Sequence, residues 1–99
     1  MTYELEFDPR ALKEWRKLGA TVREQFKKKL GEVLEQPRVE ANRLRELPDC
    51  YKIKLRQVGY RLIYQVHDEK VSILVVAIGK RDKSEAYKDA GKRVLKPID

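Results

Sequence analysis

The second half of the chain contains three segments rich in β-branched and aromatic residues, separated by very short turns. These segments are residues 51–57, 60–67 and 71–78. Gly59 provides the first turn, and Asp68 and Glu69 provide the second. Turns this short join antiparallel neighbours, because a parallel pair needs a long crossover. The sequence therefore predicts an antiparallel meander, in which the last and most apolar segment is a central strand.

The first residues predict a strand followed by a short helix. Apolar and acidic side chains alternate over residues 3–7, with the period of a half-buried strand. Asp8 is a good N-cap, and Pro9 suits the first helical position. We expect this helix to continue to about Leu18 and to end at Gly19.

Two further helices complete the pattern. Residues 21–24 have the spacing of a capping box, and the helix that they open should end at Pro37. Its apolar positions recur at helical spacing, at Val22, Phe26, Leu30, Val33 and Leu34. Residues 37–49 predict an irregular connection that reaches the core through Leu44 and Leu47. The spacing from Asp82 to Glu85 predicts a last helix, which runs to about residue 95 and has a thin apolar face.

The chain length of 99 residues predicts one domain that spans residues 1–99. The predicted helices and the antiparallel meander place this domain in the α+β class. No apolar run approaches the roughly 20 residues that cross a bilayer, and the N-terminus lacks the basic start and apolar stretch of a signal peptide. We therefore expect a cytoplasmic protein with no membrane partner. The single cysteine, Cys50, has no second thiol for a disulfide or a zinc site.

Positive charge is concentrated in the second half of the chain. Residues 1–50 carry 11 basic and 10 acidic side chains, whereas residues 51–99 carry 12 basic and 6 acidic ones. No acidic residue occurs between Asp49 and Asp68. A polyanionic partner such as nucleic acid is the natural inference, and a solvated cationic face is the alternative.

The usual catalytic side chains are nearly absent. His67 is the only histidine, so one chain cannot build a two-histidine ribonuclease site or a multi-histidine metal site. We expect His67 to face solvent at a strand end and Cys50 to fill a small buried space. The carboxylates show no metal-binding spacing, and no phosphate-binding glycine loop is present. The sequence thus predicts no metal site and no cofactor.

A cationic cluster on the sheet remains as the candidate site. Lys52 and Lys54 are two residues apart in a strand, so both side chains leave the same face. Arg61 lies on the next strand, and Arg81 follows the strand after that. Tyr87 offers a ring near the same edge for stacking on a base. Cations for a phosphate and a ring for a base predict a single-stranded RNA site.

Four blocks of the sequence resemble the RelE toxins of bacterial toxin–antitoxin systems. The blocks are ALKEWRKLG at residues 11–19, LPDCYKIKLR at 47–56, GYRLIYQV at 59–66 and GKR at 79–81. The similarity extends from Tyr3 to about Leu95. It implies the small RelE/ParE fold, which is microbial-RNase-like, with a strand, two helices, an antiparallel sheet of about four strands and a C-terminal helix.

The resemblance also implies an activity and its partners. RelE toxins cleave messenger RNA in the A site of the 70S ribosome, and a cognate RelB-like antitoxin neutralises them. Operator DNA is then bound only through the toxin–antitoxin complex. The catalytic positions of the family correspond to the following residues of this chain: Lys52, Lys54, Arg61, Arg81 and Tyr87. We expect three further basic residues to contact RNA or the ribosome: Arg56, Lys80 and Lys83.

The implied reaction is attack of the 2′-hydroxyl group on the adjacent phosphorus without a metal ion. We assign Lys54 as the base, and Lys52 and Arg61 as stabilisers of the developing negative charge. Arginine is a poor proton donor, so Arg81 assists the leaving oxygen chiefly through its charge. Tyr87 orients the nucleotide by stacking.

A toxin of the same fold that does not cut RNA is the alternative. ParE toxins inhibit DNA gyrase through a protein–protein interaction, and that activity has no need for this cationic cluster. The two lysines at 52 and 54, together with Arg81 and Tyr87, favour the ribonuclease.

Overall fold

The described residues form a four-stranded mixed sheet with helices on both faces. The computed structural model describes residues 2–80 and 85–95. Its elements are β1 (Glu4–Phe7), α1 (Pro9–Arg16), α2 (Ala20–Glu35), β2 (Cys50–Leu55), β3 (Tyr60–His67), β4 (Ser72–Lys80) and α3 (Glu85–Leu95), with 3-10 turns at Glu40–Asn42 and Asp68–Lys70. The predicted α+β class is confirmed. Within these ranges, no helix is long and apolar enough to cross a membrane.

The strand order in the sheet is β1-β4-β3-β2. β2, β3 and β4 form the predicted antiparallel meander, and β4 is central. β1 differs from the expected antiparallel sheet, because it pairs with β4 in parallel, with Phe7 beside Val75. The chain between β1 and β4 is long enough for a parallel crossover, and the alternation of residues 3–7 does not encode strand direction.

β1 is less buried than its alternation predicts. Glu4, Leu5 and Glu6 are exposed, and only Phe7 is half-buried. β1 lies at one edge of the sheet, so its apolar side chains have neighbours on one side only.

The boundary between the first two helices differs from the prediction at Gly19 and at Thr21. α1 ends at Arg16, and Gly19 is the N-cap of α2. The capping box expected at Thr21 does not form, because α2 begins at Ala20 and has no side-chain cap. Leu18 explains the shift: it is buried in the core, and its carbonyl accepts a hydrogen bond from the Arg23 guanidinium at 2.7 Å. Tertiary burial thus starts the second helix earlier than the local signal.

Two apolar cores lie on opposite faces of the sheet. The larger core packs α1 and α2 on one face, with Phe26, Leu30 and Val33 as the buried stripe of α2. The smaller core packs α3 on the other face through Ala86 and Ala90. The predicted core placement of four aromatic residues is confirmed for Trp15, Phe26, Tyr51 and Tyr64.

Arg38 and several backbone contacts tie the irregular connection between α2 and β2 to the sheet. Arg38 donates hydrogen bonds to Asp68 at 2.7 Å, and to Asp49 and the Tyr51 hydroxyl at 3.2 Å each. Leu47 is buried and Leu44 is half-buried in the smaller core, as the sequence predicts. The connection is therefore held beside α3.

Replacing Asp8 by alanine should destabilise the start of α1. The Asp8 carboxylate accepts bonds from the Arg10 backbone N–H and, at 2.8 and 2.9 Å, from its guanidinium. We expect the free energy of unfolding to fall by about 1–2 kcal/mol in chemical denaturation at pH 7. Glu6→Ala, an exposed carboxylate on β1, is the control and should change the free energy little.

The advantage of Asp8 over alanine should depend on pH in a defined direction. The Arg10 hydrogen bond lowers the pKa of Asp8 below its ordinary value of 3.8. A carboxyl whose pKa is lowered by folding stabilises the fold above its unfolded pKa. The difference between wild type and Asp8→Ala should therefore be complete above about pH 5 and disappear as the pH falls through the lowered pKa. An equal difference at pH 2 and pH 7 would contradict this.

Candidate active site

Lys52 and Lys54 project from β2, which is an edge strand of the sheet. Their neighbours Tyr51, Ile53 and Leu55 point into the larger core, so the lysines leave the opposite face. Both lysines are half-buried rather than fully solvated. The alternation predicted from the sequence is confirmed, and it places two ammonium groups side by side at an open edge.

Arg61 joins the lysines because β2 and β3 pair in a single register. Lys54 lies directly opposite Arg61, and Lys52 lies opposite Ile63. Residues opposite each other in an antiparallel pair share a face, with Cα atoms about 4.5–5.5 Å apart. Gly59 closes the turn with a φ of 70°, a conformation that other residues rarely adopt. The turn therefore fixes the register that brings the three cations together.

Tyr87 reaches the same face from α3 and packs against Arg61. The guanidinium carbon lies 4.7 Å from the centre of the ring, which is within the range of a cation–π contact. The Nε atom of Arg61 is buried and has no hydrogen-bond partner within the described ranges. Tyr87 thus packs against the guanidinium plane, and one buried donor of Arg61 is left without a protein partner in the described part of the chain.

The three cations raise the local positive potential. Lys52 is the main reason that the pKa of Lys54 lies below its ordinary value of 10.5, and partial burial, Arg61 and Arg56 lower it further. For the part of the chain that the structure describes, no carboxylate ion-pairs with Lys52, Lys54 or Arg61. The cluster is therefore suited to an anion and contains one lysine that loses its proton more readily than usual.

Two grooves flank the surface formed by Lys52, Lys54 and Arg61, which we call the cationic face. The first, of about 590 Å³, lies between the edge of β2 and α2; Arg56, Lys52 and Lys54 line it from β2, and Lys29 and Glu32 line it from α2. The second, of about 600 Å³, lies between Tyr87 and the connection, where Arg43 and Arg45 line it. Sequence reasoning missed these two arginines, because no periodic pattern places an irregular segment against a distant helix.

The other predicted basic residues differ in their placement. Lys80 ends β4 opposite Tyr60, whereas Arg61 lies opposite Gly79. Lys80 is exposed and belongs to the face that α2 covers, so it does not join the three cations. Arg81 and Lys83 lie outside the described residues, as does the capping position Asp82.

The remaining reactive side chains lie away from the cluster. Burial raises the pKa of Cys50 to about 12, which suits the predicted role of a buried filler. His67 ends β3 and is partly exposed, 3.9 Å from Glu69. Among the described residues, no group of three or more histidine, cysteine or acidic side chains is arranged to hold a metal ion.

Comparison with known proteins identifies one family model and several similar sequences. The model described as the ParE toxin of the type II toxin–antitoxin system parDE matches residues 5–85. The mRNA interferase toxin RelE of Escherichia coli strain K12 is 70% identical over 95 residues, which cover 96% of this chain and 100% of that protein. A putative RelE-like toxin protein of Escherichia coli is 48% identical over 94 residues, covering 95% of this chain and 99% of that protein.

Solved structures agree with these sequence matches. A mutant of E. coli toxin RelE in the free state superimposes with a TM-score of 0.89 and 68% identity, over 96% of this chain and 100% of that one. A chain of the intact E. coli RelBE toxin–antitoxin complex gives a TM-score of 0.78 and 73% identity, over 79% of this chain and 95% of that one. The similarity therefore includes β2, β3 and β4, which carry the cationic face.

Proposed function

Because the chain belongs to the ParE toxin family of type II toxin–antitoxin systems and, within it, to the RelE toxins, we propose that it is an mRNA interferase acting in the ribosomal A site. The observation that carries this proposal is the convergence of Lys52, Lys54 and Arg61 on one face, with Tyr87 stacked on Arg61. Such a face suits one phosphate and one base of a single RNA strand. A ribosomal substrate implies action in the cytoplasm.

The proposed reaction uses the neighbouring 2′-hydroxyl group as the nucleophile. Lys54, whose pKa is lowered chiefly by Lys52, accepts the proton of that hydroxyl. Lys52 and Arg61 stabilise the negative charge that develops on the phosphate. Bond formation between the 2′-oxygen and phosphorus then breaks the bond to the 5′-oxygen of the next nucleotide, which leaves a 2′,3′-cyclic phosphate, and the released 5′-oxygen takes up a proton from water.

Tyr87 and Arg81 complete the proposed assignment. The Tyr87 ring stacks on a base and aligns the 2′-oxygen with the phosphorus, a contribution of proximity rather than charge. Arg81 stabilises the leaving 5′-oxygen, because a guanidinium with a pKa above about 12 keeps its charge at neutral pH. Arg56 contacts flanking RNA along the groove at β2, and Lys80 and Lys83 contribute charge toward the ribosome.

We further propose that a RelB-like antitoxin is the protein partner of this chain. RelE of E. coli is found in the intact RelBE toxin–antitoxin complex, and a mutant of that toxin is found in complex with a peptide of the antitoxin. Contact with operator DNA would then occur only through the toxin–antitoxin complex. The ParE-like alternative, gyrase inhibition, has no support from the named relatives, one of which is a RelE toxin and the other a putative RelE-like toxin.

Primer extension on translated messages tests the proposed activity. The protein, purified from its antitoxin complex, is added to ribosomes programmed with a defined message, and to the same message without ribosomes. We expect cleavage within the A-site codon on ribosomes and little cleavage of free RNA. In cells that express the toxin, intact messages accompanied by a DNA-damage response would overturn the proposal in favour of gyrase inhibition.

A further inference from the structure

The contact between α3 and the sheet is made largely by small side chains. Ala86 and Ala90 are buried against Val76 and Ala77 of β4 and Ile63 of β3. Helices resist rotation when ridges of large side chains enter grooves of the facing surface. A stripe of alanines lets α3 approach closely but does little to fix its rotation about its own axis. Val94 and Tyr87 of α3 are only partly buried against the same core, so a directional contact is needed to set that rotation.

A partly buried ion pair at the end of α3 provides such a contact. Arg93 of α3 forms two hydrogen bonds with Glu14 of α1, at 2.9 and 3.0 Å. Only 11% of the Arg93 side chain and 25% of the Glu14 side chain are exposed. A two-point pair of this kind constrains direction as well as distance.

The same pair also bonds to the free part of β4. β1 pairs with β4 only as far as Val75, which leaves the next residues without a neighbouring strand on that side. Arg93 donates to the Val76 carbonyl at 2.8 Å, and the Ile78 backbone N–H donates to Glu14 at 3.1 Å. Glu14 and Arg93 therefore replace the missing strand and attach α3 to both α1 and β4.

The helix geometry couples this pair to Tyr87. At about 100° per residue, Tyr87 and Arg93 lie about 120° apart around the axis, on the two flanks of the alanine stripe. They are about 9 Å apart along the axis. Rotation of α3 that withdraws Arg93 from Glu14 would move the Tyr87 ring relative to Arg61. At the other end of α3, a Cβ atom on Gly79 would lie 3.0 Å from the Ala86 backbone nitrogen, so the sheet and helix are already in close contact.

We infer that Glu14 and Arg93 are positioning residues, which fix the rotation of α3 and thereby hold Tyr87 against Arg61. Neither residue lies on the cationic face. Glu14 belongs to α1, which packs against the larger core on the other face of the sheet. The inference deepens the proposed function and rests on it for the role of Tyr87. The structural part, the coupling of the ion pair to the Tyr87–Arg61 contact, can be measured without RNA.

The test compares Glu14→Gln, Arg93→Gln and the double variant with wild type. In the free protein, the nuclear Overhauser effect between the Tyr87 ring and the Arg61 side chain reports the contact. On programmed ribosomes, kcat and KM for cleavage report the consequence. We expect the nuclear Overhauser effect between Tyr87 and Arg61 to weaken. We also expect kcat to fall by about 10- to 100-fold with KM changed little, because a small displacement of an aligning side chain lowers the rate strongly.

The controls separate positioning from loss of charge or stability. Lys92→Gln removes a positive charge from an exposed neighbour on α3, and Glu24→Gln removes a carboxylate from an exposed pair on α2. Both should behave as wild type in cleavage and in the nuclear Overhauser effect. Arg93→Lys keeps the positive charge but loses the two parallel hydrogen bonds of the guanidinium, so its kcat should lie between those of wild type and Arg93→Gln. The double variant should cost less than the product of the two single losses, because each single change already breaks the shared pair.

Two results would overturn the inference. One is an unchanged Tyr87–Arg61 contact and an unchanged kcat in Arg93→Gln and Arg93→Lys, even if the melting temperature falls. The other is a rise in KM alone. If Glu14→Gln does not fold, the two Arg93 variants decide the question. If wild type fails to cut ribosome-bound mRNA, the proposed function is wrong, whereas the nuclear Overhauser measurement still tests the positioning.

Discussion

Replacing Lys54 by arginine is expected to lower the rate of mRNA cleavage on ribosomes by about 100- to 1,000-fold. The substitution keeps a positive charge at the edge of β2, so phosphate binding should persist. It removes the proton acceptor, because a guanidinium stays protonated at any physiological pH. Single-turnover primer extension with saturating toxin measures the chemical step. We expect the loss to appear in that rate rather than in the affinity for the ribosome.

Two matched substitutions distinguish the base from the surrounding charge. Lys52→Arg keeps a charge that we assign to phosphate stabilisation, so it should cost about tenfold or less. Lys70→Arg changes an exposed lysine at the turn between β3 and β4, and it should leave the rate unchanged. Near-normal cleavage by Lys54→Arg would mean that charge alone is sufficient at this position, and the assignment of Lys54 as base would be wrong.

The pH dependence of cleavage gives the same assignment a second measurement. Lys52 lowers the pKa of Lys54, and only neutral Lys54 can accept a proton. The single-turnover rate of wild type should therefore rise with pH and level off above that lowered pKa. Lys52→Gln removes the main cause of the shift, so its rate should rise at higher pH than that of wild type. Lys54→Arg should lose this rise.

The sequence was sufficient to predict the cationic face because its residues obey local rules. Alternation in β2 places Lys52 and Lys54 together, and Gly59 forces the turn that sets Lys54 opposite Arg61. Both signals act within about ten residues of chain. The face was therefore predictable, although its catalytic role was implied by the resemblance and remains a proposal.

Lys80 shows where a local pattern stops being informative. β4 is apolar almost throughout, so no alternation indicates which face each residue occupies. The pairing of β4 with β3 also shifts between Ile63 and Tyr64, which leaves Val76 as an extra residue. Counting along the sequence could not reveal that Lys80 and Arg61 lie on different faces of the sheet.

Contacts between distant segments were the least predictable. Glu14 and Arg93 are 79 residues apart, and each occurs in a helix that is rich in charged residues. Gly19 illustrates the same limit at short range, since a glycine can end one helix or cap the next. In this chain the burial of Leu18 decides between them.

Removing the Tyr87 ring should be the second large loss of activity. Tyr87→Ala removes both the proposed stacking surface for a base and the partner of Arg61, whose guanidinium carbon lies 4.7 Å from the ring centre. Base stacking is worth about 1–3 kcal/mol, and a cation–π contact is worth about 0.5–2 kcal/mol. We therefore expect kcat for cleavage to fall by about 100-fold, since both contacts serve alignment. The measurement is cleavage of a defined message on ribosomes.

Conservative variants and a double-mutant cycle test whether the ring acts through Arg61. Tyr87→Phe keeps the ring and should retain most of the activity. Tyr87→Leu keeps a large apolar side chain but not the aromatic ring, so it should lose as much activity as Tyr87→Ala. Arg61→Lys should lose activity, because an ammonium lacks the planar face that stacks on the ring. Combining Arg61→Ala with Tyr87→Ala should cost less than the product of the single losses, since each change already disrupts the stacked pair. Fully multiplicative losses would show that the ring and the guanidinium act independently, and the alignment role of their contact would then be wrong.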